Sequence, residues 1–583
     1  MIVWKKKVKK RLINVFYFIL LFFLVLSYRL VDIQGFQHEL YKSKAESQQK
    51  GTIDIPALRG SIMDRKYVVL ANSLALTSVA ADPTLIKDRH KSAVLLSQIL
   101  GDSEEVLESK LSIASRFVWL GRKLEEEKIE KIKKLKLPGI CLIKESTGKR
   151  FYPKGELASH ILGCTGIDDQ GLDGIEAVMD NYLKGKPGKV TAEMIKDDDM
   201  LIPGGMSSIV SASSGYNIVL TIDESIQYIV ETALEKAVKA YGADTGSVLV
   251  MDAKTGEILA LANKPDYKSK DPKSPDYMQL TRNSIVTDAY EPGSTFKVVL
   301  AAAALDSGKV GLNDQIQCGD TIQAGGWTLH NANDGFGGNA TETITDIIAY
   351  SFNTGSVAMG LRMGSKIFYD YIVKFGFGDI TGIELPGETE GILPPLKDWS
   401  EINLATISFG QGIAVTPLQI VSAVQGSINN GEQMQPRIIR QILDSEGNIV
   451  KDFTPEVKSR PISKETSYKI NMILRNVVEN GTGKKARIPG YLVGGKSGTA
   501  NVVENGMYAK GKYIASFVGF APAEDPKFVM LVKIKNPKGT IWGGTVSGPI
   551  FAEIGREILW RLGIPPSFPN EVNQMGADPS KNN

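Results

Sequence analysis

Cysteine and histidine are scarce in this chain, with 3 cysteines and 4 histidines among 583 residues. The three cysteines (Cys141, Cys164 and Cys318) allow at most one disulfide bridge and leave one thiol over, so they cannot form a disulfide scaffold. Internal repeats and long low-complexity tracts are missing, as is any basic stripe interleaved with aromatic residues. The last absence argues against nucleic acid as a partner.

Basic residues are concentrated at the N-terminus, where six of them fall within the first eleven positions without an acidic residue, and the rest of the chain carries 62 basic against 65 acidic residues. Residues 12–28 are uncharged and apolar apart from Asn14 and Ser27, which is long enough to cross a bilayer. No small-x-small site follows, so an uncleaved anchor is favoured over a cleaved signal peptide. The basic end is expected to stay in the cytoplasm, which predicts a single-pass protein of the cell membrane.

The second part of the chain alternates between strand and helix patterns. The sequence predicts a strand over 217–223, a helix over 226–241 and an antiparallel hairpin that turns at Gly256. A second hairpin is predicted over 514–534 and a last helix over 549–562, with proline at its start. This order predicts an α/β (α+β) fold in which helices cover both faces of a central antiparallel sheet.

Three short motifs follow one another in this second part. Ser294 and Lys297 form S-x-x-K, Ser351 and Asn353 form S-x-N, and Lys496-Ser-Gly-Thr499 precedes the final hairpin. Residues three apart on a helix share one face, so the Ser294 hydroxyl and the Lys297 amine are predicted to meet near a helix N-terminus. Each motif alone is common, but the three in this order within about 350 residues are a specific signal.

With these motifs the chain resembles a class B penicillin-binding protein, a monofunctional peptidoglycan D,D-transpeptidase of the penicillin-binding protein 2, division or sporulation type. The resemblance covers nearly the whole chain and includes five further segments: Arg59-Gly-Ser-Ile-Met-Asp-Arg65, Arg150-Phe-Tyr-Pro153, Gly171-Leu-Asp-Gly-Ile-Glu176, Ser408-Phe-Gly-Gln-Gly412 and Gly544-Thr-Val-Ser-Gly-Pro-Ile-Phe551. One departure is Lys66-Tyr67, where the family usually has Asn-Gly.

The resemblance implies five regions along the chain. They are a cytoplasmic basic tail (1–11), a transmembrane anchor (12–31), an α+β pedestal like the class B dimerisation domain (32–215), a transpeptidase domain (216–566) and a disordered tail (567–583). The transpeptidase domain, which would carry the catalytic residues, is expected outside the cytoplasm.

A transpeptidase breaks a D-Ala-D-Ala amide and passes the acyl group to an amine, so it needs a nucleophile, a base, an oxyanion hole and a carboxylate clamp. Ser294 is the predicted nucleophile of this serine-type acyl transferase, and Lys297 is its base if burial keeps the amine neutral. Ser351 is placed to relay a proton to the leaving nitrogen, and Asn353 to hold Lys297 or the substrate amide. Lys496 adds positive charge nearby.

The third motif is predicted to bind substrate from a strand. Side chains alternate between the faces of a strand, so Ser497 and Thr499 point the same way and can both hold the terminal carboxylate. Gly498 has no side chain, which lets a substrate strand approach and pair with the backbone. By resemblance, the oxyanion hole consists of the backbone N–H groups of Ser294 and Thr499.

Other functions use similar residues. A β-lactamase or β-lactam-binding sensor shares the three motifs, although a secreted lactamase needs neither this anchor nor a pedestal of about 180 residues. A carboxypeptidase would trim stem peptides rather than cross-link them. A non-catalytic cell-wall scaffold predicts lesions in the motifs, and none is present.

The partners follow from the resemblance. Peptidoglycan stem peptides would supply the D-Ala-D-Ala donor and the amine acceptor, and β-lactams would act as inhibitors. A separate membrane glycan polymerase is also expected, because the pedestal is too short to hold a glycosyltransferase fold. The serine chemistry requires no cofactor. Elongation, division and spore formation are served by similar chains, and the sequence leaves all three open.

A short insertion between the first two motifs raises a metal hypothesis. Cys318 and His330 lie in it, Asp334 follows the histidine by four residues, and Asp288 lies six residues before Ser294. Because cysteine, histidine and carboxylate groups are zinc ligands, a closed structural Zn²⁺ site of these four residues is one hypothesis. The alternative is a free cysteine in a turn and a histidine that caps a helix, since C-x11-H matches no standard zinc spacing.

The charged residues of the pedestal motifs are predicted to have a structural role. Arg59, Asp64 and Glu176 are expected to form a buried ion-pair network, so their substitution should damage folding or partner activation more than penicillin acylation.

Overall fold

The computed structural model describes residues 2–55, 57–74, 76–115, 117–144, 149–195, 200–267, 277–332, 340–504 and 506–569. The chain forms two compact units, each assembled from separated segments. The smaller unit comprises Met1–Leu58, Ala75–Gly148 and Gly185–Ser214, and the larger one comprises Arg59–Leu74, Lys149–Lys184 and Gly215–Asn583. Two segments of the predicted pedestal therefore belong to the larger unit. Of the predicted disordered tail, residues 570–583 lie outside the described residues.

The smaller unit begins with the long helix Ile2–Val31. Val8–Phe36 is the one segment in the described part of the chain that is long and apolar enough to cross a membrane, and none of it is buried. A helix that is apolar all round without a packing partner is typical of a lipid-facing span. The helix is therefore compatible with the predicted single-pass anchor.

Two three-stranded antiparallel sheets and further helices complete the smaller unit. In spatial order the strands are Lys50–Ile55, Gly188–Ile195 and Met200–Val210 in one sheet, and Val118–Leu124, Thr77–Ala81 and Ile140–Lys144 in the other. The further helices are a π-turn at Asp32–Phe36 and the α-helices His38–Gln49, Arg89–Leu100, Glu104–Leu111 and Glu126–Leu135.

The larger unit is built around a five-stranded antiparallel sheet. In spatial order its strands are Ile258–Lys264, Thr245–Asp252, Phe528–Lys535, Met507–Ala521 and Gly494–Glu504. Both predicted hairpins are confirmed, and the second pairs with the first through its Phe528–Lys535 strand. Gly494–Glu504, which carries the third motif, lies at the edge of the sheet, so one row of its backbone groups faces away from the other strands.

Helices cover both faces of this sheet, which confirms the predicted fold class. On one face the helices Glu224–Ala240 and Gly543–Arg561 share an apolar core with strand residues such as Val532. On the other face, strand residues such as Leu531 pack into the core that includes the helices Lys297–Asp306 and Lys464–Glu479.

The last helix begins at Gly543, six residues before the predicted start at Pro549. A Cβ atom at Gly543 would lie 2.1 Å from the carbonyl oxygen of Gly498, and one at Gly544 would lie 2.2 Å from the carbonyl oxygen of Thr482. Only glycine permits so close an approach, and this tertiary packing continues the helix past a proline that local preference places at its first turn.

A second sheet and many short elements complete the larger unit. The second sheet has six strands, in the spatial order Ile449–Asp452, Ile439–Leu443, Asn217–Leu220, Ile62–Met63, Val69–Leu74 and Lys149–Phe151. The two-stranded pairs are Ile316–Gln317 with Thr341–Glu342, Thr321–Ala324 with Trp327–His330, and Gln433–Met434 with Val457–Ser459. The remaining α-helices are Ser159–Leu162, Gly174–Val178, Asp180–Leu183, Tyr277–Leu280, Ser284–Thr287, Ile344–Tyr350, Asn353–Met363, Ser365–Lys374, Glu401–Ile407 and Pro417–Ile428, and the 3-10 turns are Gly293–Phe296, Leu396–Asp398 and Lys484–Ala486.

A buried ion-pair network joins two of the early segments of the larger unit. Glu176 accepts hydrogen bonds from Arg59 Nε at 2.7 Å and from Arg150 Nε at 2.6 Å, and all three side chains are almost fully buried. Arg59 also donates to Asp180 at 2.6 Å. Asp64 is not part of this network, because its carboxylate instead accepts backbone N–H groups, including those of residues 66 and 68 in the tight turn that follows it.

Replacing Glu176 with Gln is expected to destabilise the protein by about 3–5 kcal/mol, because two buried guanidinium groups lose their counter-charge. The effect should appear as a lower melting temperature, with penicillin labelling per folded molecule unchanged. Glu553→Gln is the matched control, since it breaks an exposed pair with Lys236 and should cost less than about 1 kcal/mol. Equal melting temperatures for the two variants would contradict a structural role for the network.

Candidate active site

Ser294 lies in the 3-10 turn Gly293–Phe296, which continues directly into the helix Lys297–Asp306. Its side chain is partly exposed, whereas Lys297 is completely buried. Within the described residues the Ser294 hydroxyl makes no hydrogen bond to Lys297, whose amine is directed to other groups. Hydrogen bonds of catalytic groups commonly tighten only when substrate binds, so this geometry agrees with a serine that faces the solvent side of a site.

The turn that carries Ser294 is held by the segment 410–415. Tyr290 and Val415 exchange two backbone hydrogen bonds of 3.0 and 2.9 Å, and Gly293 N donates to Gly410 O at 3.0 Å. The Glu291 carboxylate accepts the backbone N–H of Gly412 at 2.8 Å. The Ser408-Phe-Gly-Gln-Gly412 segment noted in the sequence thus fixes the backbone beside Ser294.

The Lys297 amine binds the second motif. It donates to the carbonyl oxygen of Ser351 at 2.7 Å and to Asn353 Oδ1 at 2.9 Å. Ser351 has a positive φ of 64° at the junction of two helices, a conformation that costs energy for a residue other than glycine and is typical of functional sites. The first and second motifs therefore meet at one amine.

Lys496 approaches the same place from the edge strand. Its amine donates to Ser351 Oγ at 3.0 Å and to the carbonyl oxygen of Ser497 at 3.1 Å. Burial lowers the pKa of Lys496 to about 7. Burial and the neighbouring charge of Lys496 lower the pKa of Lys297 well below its ordinary value. Two buried amines around one hydroxyl favour a neutral Lys297 near neutral pH, which is the form that can accept a proton.

The remaining residues of the third motif face the start of the last helix. Ser497 Oγ lies 2.8 Å from Thr482 Oγ1, and Thr499 Oγ1 accepts the backbone N–H of Gly543 at 3.1 Å. Because unpaired N–H groups and the positive end of the macrodipole gather at a helix N-terminus, an anion beside these two hydroxyls would be stabilised. The arrangement suits a substrate carboxylate.

Gly498 packs against the Ser294 turn. A Cβ atom at this position would lie 2.6 Å from Ser516 Oγ, 2.8 Å from Thr295 Cγ2 and 3.2 Å from Pro292 O. The prediction that this glycine admits a substrate strand stays a prediction, and the structure supplies another reason for it: a side chain here would push the edge strand away from the turn that carries Ser294.

Gly498→Ala is therefore expected to lower the rate constant of covalent penicillin labelling by about 100-fold, since small displacements of reacting groups have effects of this size. The rate is measured by stopped-flow with a fluorescent penicillin. Gly319→Ala is the matched control, because a Cβ atom there meets nothing within 4 Å. Equal rates for both variants would show that the contact with the serine turn does not matter.

Sequence reasoning missed two contributors to this site. Thr482 contacts Ser497, and Asn331 accepts backbone N–H groups of Asn353 and Thr354 at 2.8 and 3.2 Å. Thr482 stands in a Gly-Thr-Gly segment just after a helix, a turn pattern that could have drawn attention to it. Asn331 carries no such local signal, because its contact spans 22 residues.

The described residues do not assemble the hypothetical zinc site. Within them no three His, Cys, Asp or Glu side chains lie close enough together to hold a metal ion. Cys318 is buried beside Thr354, the carboxylate of Asp288 accepts a hydrogen bond from Arg282, and the His330 side chain is exposed. Asp334 lies outside the described residues. Zinc binding stays a prediction, without support from this geometry.

Comparison with known proteins gives the same picture over nearly the full chain. The family model of the penicillin-binding protein transpeptidase domain matches residues 246–556. The model of the penicillin-binding protein dimerisation domain matches residues 54–220. The chain is 38% identical to stage V sporulation protein D of Bacillus subtilis over 96% of this chain and 87% of that protein. It is 32% identical to peptidoglycan D,D-transpeptidase FtsI of Escherichia coli over 92% of this chain and 89% of that protein.

Solved structures are similar as well. A peptidoglycan synthetase from Bifidobacterium adolescentis superposes with a TM-score of 0.72 and 29% identity, covering 89% of this chain and 98% of that chain. Penicillin-binding protein 3 from Mycobacterium tuberculosis, solved in complex with aztreonam, superposes with a TM-score of 0.68 and 29% identity over 88% of this chain and 98% of that chain.

Proposed function

The chain belongs to the class B penicillin-binding proteins, and on that premise we propose that its peptidoglycan D,D-transpeptidase activity proceeds through an acyl-enzyme on Ser294. One observation carries the proposal: two buried lysine amines, from different elements, converge on Ser351 next to a partly exposed serine. A structural lysine pair would be expected to contact carboxylates, and within the described residues these two amines bond only to neutral oxygens.

Acylation begins when neutral Lys297 accepts the proton of the Ser294 hydroxyl. The Ser294 oxygen then attacks the carbonyl carbon of the D-Ala-D-Ala amide, and the oxyanion is stabilised by backbone N–H groups, for which those of Ser294 and Thr499 are the candidates. Collapse of the tetrahedral intermediate breaks the C–N bond. The leaving nitrogen receives a proton through Ser351, whose hydroxyl accepts a hydrogen bond from Lys496, and D-Ala departs.

The second half reverses the first. An amine from another stem peptide loses a proton to the same relay and attacks the ester carbonyl, so a new amide forms and the Ser294 hydroxyl is restored. A β-lactam enters by the same acylation, but its leaving nitrogen stays tethered to the acyl group. The tethered group blocks the acceptor amine, and the inhibitor therefore remains on the serine.

The N-terminal helix supports a place for this chemistry at the cell membrane. Its basic end would remain in the cytoplasm and the transpeptidase domain would lie outside, beside the peptidoglycan. A separate membrane glycan polymerase would then supply the strands to be cross-linked, because neither of the matched domains is a glycan polymerase.

Full-length protein in detergent is expected to join a D-Ala-D-Ala stem peptide to an amine acceptor, with one D-Ala released for each cross-link formed. Mass spectrometry of the products measures both species. D-Ala release without cross-links would identify a carboxypeptidase. Rapid turnover of penicillin to its hydrolysed form would identify a β-lactamase. Neither reaction with donor nor with penicillin would leave the scaffold alternative.

A further inference from the structure

The insertion between the first two motifs contacts the site through groups other than the predicted zinc ligands. The strand Trp327–His330 ends beside the helix Asn353–Met363. The carbonyl oxygen of His330 accepts a hydrogen bond from Asn353 Nδ2 at 3.3 Å. Asn331 Oδ1, one residue further on, accepts from the backbone N–H groups of Asn353 and Thr354 and from the Thr354 hydroxyl at 3.3 Å.

The helix Asn353–Met363 cannot cap its own N-terminus. Its N-cap residue is Phe352, which has no side-chain oxygen to accept the first N–H groups. Asn331 supplies that acceptor from 22 residues away and is itself held by a hydrogen bond from its Nδ2 to Gly319 O at 3.4 Å. The cap is therefore a tertiary contact rather than a local one.

The same two residues decide which end of the Asn353 amide faces Lys297. An amide side chain has one acceptor end and one donor end, and its surroundings select between the two orientations. The His330 carbonyl can only accept, so it binds Nδ2 and turns Oδ1 toward the Lys297 amine, which lies 2.9 Å away. A reversed amide would place two donors against each other and leave the amine without this acceptor.

We propose that Asn331 is a positioning residue for the transpeptidase reaction, because it fixes the Asn353 backbone and thereby keeps Asn353 Oδ1 on Lys297. The inference rests on the proposed function of Lys297 as the base. Asn331 touches neither the substrate nor Ser294 in this arrangement, and it acts on the reaction only through Asn353.

The test is the pH dependence of penicillin acylation by full-length protein in detergent, for wild type, Asn331→Ala and Asn331→Asp. Acylation needs neutral Lys297, so its rate rises with pH through the pKa of that amine. Lys496 and Cys318 are the titratable groups that act on Lys297, and all three variants retain them. In Asn331→Ala the plateau rate is expected to fall about 10–100-fold through misplacement of Asn353. Its acid limb should also move to lower pH, because the ammonium form loses an oxygen acceptor.

Asn331→Asp keeps an acceptor at a position where carboxylates are good caps. Its plateau rate is expected within about threefold of wild type, and its acid limb should not move to lower pH. Ser463→Ala is the matched control, since it removes the side-chain cap of another helix, Lys464–Glu479, and should lower stability without changing the limb.

Two results would overturn the inference. One is a wild-type rate in Asn331→Ala. The other is a rate loss that only follows the fraction of folded protein, with the acid limb of the pH profile unmoved. If wild-type protein were not acylated at any pH, the proposed function would fail as well, so the failure of the inference alone is recognised by a normal wild-type profile.

Discussion

A Ser294→Ala protein is expected to carry no covalent penicillin, with an acylation rate about 10⁶-fold below wild type, the loss that removal of a catalytic serine typically causes. The loss follows because the two lysine amines have no oxygen nucleophile to activate. The measurement is mass spectrometry of the intact protein after exposure to penicillin, followed by peptide mapping of the wild type. The label should lie on a peptide that contains Ser294 and should persist there.

Ser427→Ala is the matched control for this substitution. Ser427 is buried in the helix Pro417–Ile428, where its hydroxyl donates to Ala423 O, and its replacement should leave labelling unchanged. A label that survives in Ser294→Ala at the wild-type mass shift would place the nucleophile elsewhere and refute the mechanism.

Lys297→Met is expected to lose acylation nearly as completely as the serine variant, because residues that act as a unit in catalysis are not additive. Methionine fills a similar volume without a titratable group, so folding should be retained. Lys458→Met is the control: burial also lowers the pKa of Lys458, but its amine bonds to the carbonyl oxygens of Ile380 and Thr381 rather than to the motifs. Stopped-flow labelling of both variants, with melting curves alongside, measures the difference.

The pH dependence of wild-type acylation gives a second measure of Lys297. Because burial and Lys496 lower its pKa far below the usual lysine range, the neutral base persists at neutral pH. The rate should therefore be maintained as pH falls below 10 and decline only as pH passes through the lowered pKa. Near-normal acylation by Lys297→Met would show that another group takes the proton.

The motifs and the fold class were predictable because their signals are local. Hydrophobic periodicity and turn residues predicted the two hairpins of the five-stranded sheet, and the order of S-x-x-K, S-x-N and K-[ST]-G predicted which segments would meet. The burial of both lysines was predictable only in part, since it depends on helices and strands contributed by distant segments.

Other features depend on contacts that leave no local pattern. Asn331 caps a helix that begins 22 residues later, and Gly543 starts a helix because it must approach Gly498 closely. The cysteine and histidine of the insertion suggested a metal by residue type alone, whereas the structure uses the backbone carbonyl of His330 and buries Cys318. Residue types predict the chemistry that is available, and three-dimensional neighbours decide which part of it is used.

The interleaving of segments in the larger unit also bears on how the protein is made. The strand Asn217–Leu220 pairs in parallel with Ile62–Met63, and Val69–Leu74 pairs with Lys149–Phe151. A ribosome releases the N-terminal segments first, so these short strands must wait during export for partners that emerge more than a hundred residues later. A shortened chain that starts at residue 216 would lack three strands of the six-stranded sheet, and we expect such a truncation to be insoluble even though it contains every catalytic motif.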